Sequence, residues 1–106
     1  MLVVEPGAFR TGFAGGGALR QSAPLDAYED TVGPVRAELP GSDGRQPGDP
    51  GKAAAAILTA LAAESTPLRL ALGNDAADAI AANLKSAGEE AATWEVVSRG
   101  TDFDRE

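Results

Sequence analysis

The sequence predicts an α/β fold in which two parallel strands and the helix between them form the last stretch of a larger doubly wound sheet. Three observations carry this. The apolar run Leu2-Val3-Val4 stops at Pro6-Gly7, which reads as the end of a buried strand meeting a turn. Leu68, Leu70 and Leu72 alternate with Arg69 and Ala71, the period-two pattern of a second strand. Between the two, Ala54, Ile57, Leu58 and Leu61 recur at helical spacing. A strand, a crossover helix and a second strand make a βαβ unit, whose strands run parallel. Two short strands are too few for a stable sheet of their own, and parallel strands need both faces covered.

The elements run in order as strand, long loop, helix, strand, helix and helix, a βαβα arrangement. Residues 1–11 hold the first strand and its turn. Residues 12–48 form a loop region: the 40 residues from Gly12 to Gly51 contain 9 of the 13 glycines and 5 of the 7 prolines. Phe13, Leu19, Leu25, Tyr28, Val32, Val35 and Leu39 are scattered through it. A loop this long is either functional or disordered. It reads here as a lid docked through those apolar points, with short helical turns around Ala27–Val32, or as a segment disordered without its partners.

Residues 49–106 carry the sharper signals. Asp49 suits a helix cap, Pro50 suits the first helical position, and Ala53–Ala63 is rich in helix formers. Ser65-Thr66-Pro67 ends that helix, and the strand Leu68–Leu72 comes next. Gly73-Asn74-Asp75 turns into a second helix with Asp75 as its cap. Its apolar stripe is Ala76, Ala77, Ile80, Ala81 and Leu84, and Gly88 is expected to close it. A third helix over Glu89–Ser98 uses Ala91, Trp94 and Val97.

Composition narrows the function. The chain has 106 residues and a formal net charge of −7, which suits a single domain at most and disfavours binding to a phosphate backbone. With no Cys and no His, it offers no disulfide, thiol nucleophile, histidine base or zinc site of the usual kinds. Alanine supplies 22 of its apolar residues, leaving 24 larger ones, a thin core for an independent domain. The expectation is a part of something larger. No run of about 20 apolar residues is present to span a membrane, and the first residues lack a secretory pattern. A cytoplasmic location is expected.

The segment Glu5-Pro6-Gly7-Ala8-Phe9-Arg10-Thr11 resembles the P-G-x-x-x-T stretch of the short-chain dehydrogenase/reductases, the Rossmann-fold NAD(P)-dependent oxidoreductases. The downstream segments are similar in order too. The substrate loop of that family corresponds to the region from Gly12 to Pro47, and Asp49-Pro50 matches the opening of its next helix. Pro67, Arg69, Leu70, Leu72 and Gly73 match its seventh strand. Trp94 and Val97–Phe103 resemble a common C-terminus of one branch. The resemblance spans nearly the whole chain but only the C-terminal portion of the family.

The resemblance implies a Rossmann-like parallel sheet and an NAD or NADP cofactor, with hydride moving to or from a carbonyl or alcohol substrate. Pro6, Gly7, Phe9 and Thr11 would meet the nicotinamide end, the Phe9 backbone at the carboxamide and the Thr11 hydroxyl at carboxamide or pyrophosphate. Phe13 and Tyr28 would belong to the substrate loop, or equally anchor it to the core. From the residues alone, the same turn reads as an ordinary strand exit with Thr11 capping a short helix.

No catalytic residue is expected in this chain. The family needs an N-terminal Gly-rich turn and a Tyr with Lys four residues later, the Tyr exchanging the substrate proton with its pKa lowered by the Lys. Four residues after the only tyrosine, Tyr28, stands Val32. Thr11–Gly17 imitates a nucleotide turn, but no helical pattern opens behind it, so it reads as loop. Asp26, Glu29 and Asp30, like Asp102 and Asp104, match no metal-ligand spacing and read as surface charge. The chain is therefore expected to be inactive alone. The rival expectation is a non-catalytic module that pairs, through Leu68–Leu72 and Ala76–Leu84, with itself or with intact relatives.

Overall fold

A computed structural model describes residues 1–105. Strand β1 spans Val3–Pro6, 3-10 turns occupy Gly12–Ala14 and Asp26–Tyr28, and helix α1 spans Glu29–Gly41. Helix α2 is Pro50–Ala62, strand β2 Arg69–Leu72, helix α3 Asn74–Thr93 and helix α4 Glu95–Arg99. The strands pair in parallel, with Val3 opposite Arg69 and Pro6 opposite Leu72. The Val3 N–H donates to Leu68 O at 2.7 Å and the Gly7 N–H to Leu72 O at 2.8 Å, so the ladder extends past both strand ends. Arg69 also donates through Nε and Nη2 to Glu5 Oε1, at 2.9 and 2.7 Å.

Asp49 caps α2 as its sequence suggests. Its Oδ1 accepts from the Gly51 N–H at 2.8 Å and the Lys52 N–H at 3.4 Å, and Pro50 fills the first turn. The helix turns Ala53, Ala56, Ile57 and Ala60 inward, while Leu58 and Leu61 stay 67% and 56% exposed. The inward face is thus rotated from the expected Ala54-Ile57-Leu58-Leu61 stripe. Alanines let the helix sit close over the sheet, and nothing among the described residues covers its leucines.

Two boundaries differ from the sequence reading. The loop region carries a 13-residue helix, α1, instead of brief turns around Ala27–Val32, although Pro34 and Pro40 lie inside it. No residue of α1 is buried. Gly88 does not close α3, which runs through it to Thr93; the break comes at Trp94. A helical glycine costs about 1 kcal/mol relative to alanine, too little to stop a helix continued by Glu89-Glu90-Ala91-Ala92. A glycine stop also needs a left-handed residue, and Gly88 is not among those with positive φ.

The molecule is an open shell. Its radius of gyration is 20.4 Å, against about 13 Å for a compact chain of this length. It exposes 8740 Å², where a compact monomer of this mass exposes roughly 5,500 Å². Among the described residues only Ala14, Ala60, Leu72 and Gln46 are buried. Among the described residues no helix is long and apolar enough to cross a membrane.

Candidate functional site

Where β1 ends, the chain is tied from two directions. Gly7 follows Pro6 directly, and because the strands are parallel and in register, the residues after β2 arrive beside it. The Asp75 carboxylate, one residue into α3, accepts the Ala8 N–H through Oδ2 at 2.8 Å and the Ala76 N–H through Oδ1 at 3.0 Å. These backbone donors, Ala8 first and Ala76 next, hold the Asp75 carboxyl below its ordinary value. A Cβ on Gly7 would fall inside that carboxylate. Gly7 is therefore glycine because Asp75 comes close.

The second tie is Gly48. Its N–H donates to Ala8 O at 2.9 Å, and the Arg10 N–H donates to Gly48 O at 2.8 Å, which makes an isolated parallel bridge around Phe9. A Cβ on Gly48 would lie 2.6 Å from the Phe9 ring and 2.7 Å from Ala8 O. Arg10 strengthens the same contact, its Nε donating to Gln46 O at 3.0 Å. Gly73, between β2 and α3, has φ +97° and ψ 153°, a backbone conformation essentially restricted to glycine.

This bracing settles which way the Phe9 peptide groups face. A trans peptide points its C=O and the following N–H in opposite directions. Ala8 O faces Gly48, so the Phe9 N–H faces away from it and has no acceptor among the described residues. The Phe9 carbonyl likewise turns outward, where it accepts only the Thr11 N–H at 3.0 Å. Thr11 Oγ1 accepts from the Phe13 N–H at 3.3 Å and caps the Gly12–Ala14 turn, which leaves the hydroxyl proton to donate elsewhere.

Phe9 lies where two cavities meet. One, of about 550 Å³, is lined by Pro6, Gly7, Thr11 and Phe13 together with Leu39 of α1 and Ile57 of α2. The other, of about 500 Å³, lies toward Lys52, Gly73 and Asp75. Five of the six residues named from sequence, Pro6, Gly7, Phe9, Thr11 and Phe13, thus share one cavity. Tyr28 stands apart, in a hollow of about 140 Å³ formed with Leu25, Val32 and Arg36. Sequence reasoning missed Asp75, Gly48 and the buried Gln46, which lines the larger cavity with its Oε1 unpaired. The signal for Asp75 was present in the parallel pairing, which places the exit of β2 against that of β1.

A parallel βαβ unit with a braced, glycine-bearing turn at the strand ends defines a segment of an open α/β nucleotide-type domain, whose ligands lie outside those ends. Comparison with known proteins identifies which. The crystal structure of a short-chain dehydrogenase from Streptomyces avermitilis superposes with TM-score 0.73 at 56% identity, over 95% of this chain and 36% of that one. A curated protein, Oxidoreductase BOA17 of Botryotinia fuckeliana, is 36% identical over 90 residues, covering 83% of this chain and 32% of its own length. No family model matches. The chain belongs to the short-chain dehydrogenase/reductase family, and it spans about a third of the length of these relatives.

Proposed function

We propose that this chain supplies the nicotinamide-side turn and substrate loop of an NAD(P)-dependent oxidoreductase that interconverts a carbonyl and an alcohol. The observation that carries this reading is the Phe9 peptide, whose N–H has no acceptor among the described residues and faces away from the Gly48 bridge, on a residue that lines the larger cavity. An amide N–H and C=O facing the same way suit a carboxamide, which offers the complementary acceptor and donor. NAD or NADP fits that test, and when bound it supplies or accepts the hydride. Phe9 would hold the carboxamide and Thr11 would donate to it or to the pyrophosphate. Pro6 and Gly7 would form the floor, with Phe13 part of the wall on the substrate side.

The chain brings no group for the proton transfer. Tyr28 faces its own hollow and has no lysine partner. Purified chain mixed with NADPH and a panel of carbonyls is therefore expected to give no rate above buffer. Fused behind the N-terminal two-thirds of the Streptomyces avermitilis dehydrogenase, it is expected to bind NADH or NADPH and sustain turnover. A rate from the chain alone overturns the division of labour, and a well-folded fusion that binds neither nucleotide overturns the reading itself.

A second reading, a non-catalytic module pairing through Leu68–Leu72 and Ala76–Leu84, is favoured by the exposed Leu68 and Leu84 of that surface. Sedimentation separates the two: a compact, concentration-dependent dimer supports the module, an expanded monomer the orphaned segment.

A further inference from the structure

We propose that Asp75 is a positioning residue for the nicotinamide contact: its carboxylate holds the Ala8 N–H and thereby sets the direction of the Phe9 peptide. The inference rests on the proposed role of Phe9 and adds a residue to that site. Its geometry is independent of any ligand. Ala8 sits between two peptide planes, and each plane is pinned by a different element. Asp75 Oδ2 takes the Ala8 N–H at 2.8 Å and so fixes the Gly7–Ala8 plane. The Gly48 N–H reaches Ala8 O at 2.9 Å and fixes the Ala8–Phe9 plane. With both planes rigid, the φ and ψ of Ala8 are determined, and the Phe9 N–H has one direction left to point.

Three further observations single out the carboxylate. The contact joins residues 67 apart in sequence, so local turn preference does not explain it. Gly7 leaves the space that the carboxylate fills, where any Cβ would collide with it. Gly73, with its glycine-restricted backbone, leads into Asp75, and a Cβ on it would lie 2.7 Å from Asp75 Oδ1. Two glycines on two strand exits thus accommodate one acidic side chain. Bonds to an ionised acceptor are the stronger ones, which suits a brace that must resist the pull of a ligand on the neighbouring peptide.

The test uses Asp75→Ala and Asp75→Asn, the second retaining an oxygen acceptor. In the fusion, NADH and NADPH binding is compared with that of ADP-ribose and its 2′-phosphate, which lack the nicotinamide. Asp75→Ala is expected to weaken the dinucleotides by about tenfold, the size of one charge-assisted hydrogen bond, and to leave the nicotinamide-free nucleotides unchanged. Asp75→Asn should recover most of the loss. Equal weakening of both nucleotide classes reveals a general structural role and overturns the proposal, as does unchanged dinucleotide binding. In the 106-residue chain itself, the Ala8 amide proton resonance should shift upfield in Asp75→Ala, which reports the contact without any cofactor. An unmoved Ala8 resonance overturns the brace whatever the fusion binds. A shifted Ala8 resonance with no nucleotide bound by the parent fusion removes the functional reading and leaves the contact standing.

Discussion

The turn Gly7–Arg10 and the excursion from Gly12 to Pro47 draw on the same small, flexible residues and use them in opposite ways. In the turn, glycine marks a place where something else must fit: the Asp75 carboxylate at Gly7, the Phe9 ring and Ala8 carbonyl at Gly48. In the excursion, Gly12, Gly16, Gly17, Gly41 and Gly44 face open space, while Gly15 and Gly33 meet only Asp43, Gly12 and Glu29 of the excursion itself. Hydrogen bonds divide the same way. The turn is bonded to residues 36–67 positions away, whereas the side-chain bonds of the excursion close within it, Gln21 Nε2 donating to Arg36 O at 3.1 Å and Arg36 Nη2 donating to Ser22 O. Glycine content alone therefore does not distinguish a braced binding turn from a loose cover; what occupies the missing Cβ does.

Substitution at the braced end should give the largest effects. Gly48→Val places its Cβ against the Phe9 ring and against Ala8 O, and that oxygen cannot withdraw without breaking the bridge. A loss of about 2–4 kcal/mol is expected, from overpacking together with the bridge hydrogen bonds. Denaturant unfolding of the fusion gives the total, and amide exchange at Gly48 and Arg10 shows where it falls. Unchanged protection at those two amides would mean that the bridge does not hold the turn. Gly73→Ala comes next, at about 1–3 kcal/mol for a side chain forced into a glycine-only region, measured by the same unfolding curve.

Acid should loosen the turn before it affects the excursion. The folded Asp75 carboxyl lies below its ordinary value because of the Ala8 and Ala76 N–H donors. The unfolded chain therefore binds this proton more readily than the folded chain. The brace is fully in place above the ordinary aspartate range, weakens as pH falls through it, and is lost below the lowered folded value. The Ala8 amide signal of the chain, tracked from neutral pH downward, should move with a midpoint on the acid side of an ordinary aspartate. A midpoint at or above the ordinary position would contradict the contact.

Much of the fold was legible because its signals are local. Asp49-Pro50, the alternating leucines of β2 and the Pro6-Gly7 stop each act within a few residues, and parallel pairing follows from their order. Helix α1 was not legible: Pro34 and Pro40 argue against a helix, and they outweighed Val32, Val35 and Leu39, which fall at helical spacing among residues otherwise read as loop. The extension of α3 was missed because a glycine stop depends on the backbone angle at Gly88, which its identity does not fix. In the site, the position of Phe9 could be expected from the strand end, but Asp75 read as a cap. The structure puts Gly73 at the cap position and Asp75 inside the first turn of α3; only the register Pro6 opposite Leu72 brings its carboxylate to Ala8, and register is a property of two strands.

The smallest effect is expected in the excursion, and it tests the contrast from the other side. Gly41 is the last residue of α1, meets nothing within 4 Å of an added Cβ, and lacks a positive φ. Gly41→Ala should therefore be accepted without strain and stabilise α1 by up to about 1 kcal/mol, through better helix propensity and a less flexible unfolded chain. Because α1 buries no residue, the gain should stay local, slowing amide exchange at Leu39 and Ser42 while leaving Ala8, Arg10 and Gly48 as they were. A change that spreads to those three amides would show that cover and turn are mechanically joined, and the contrast between them would then be one of degree.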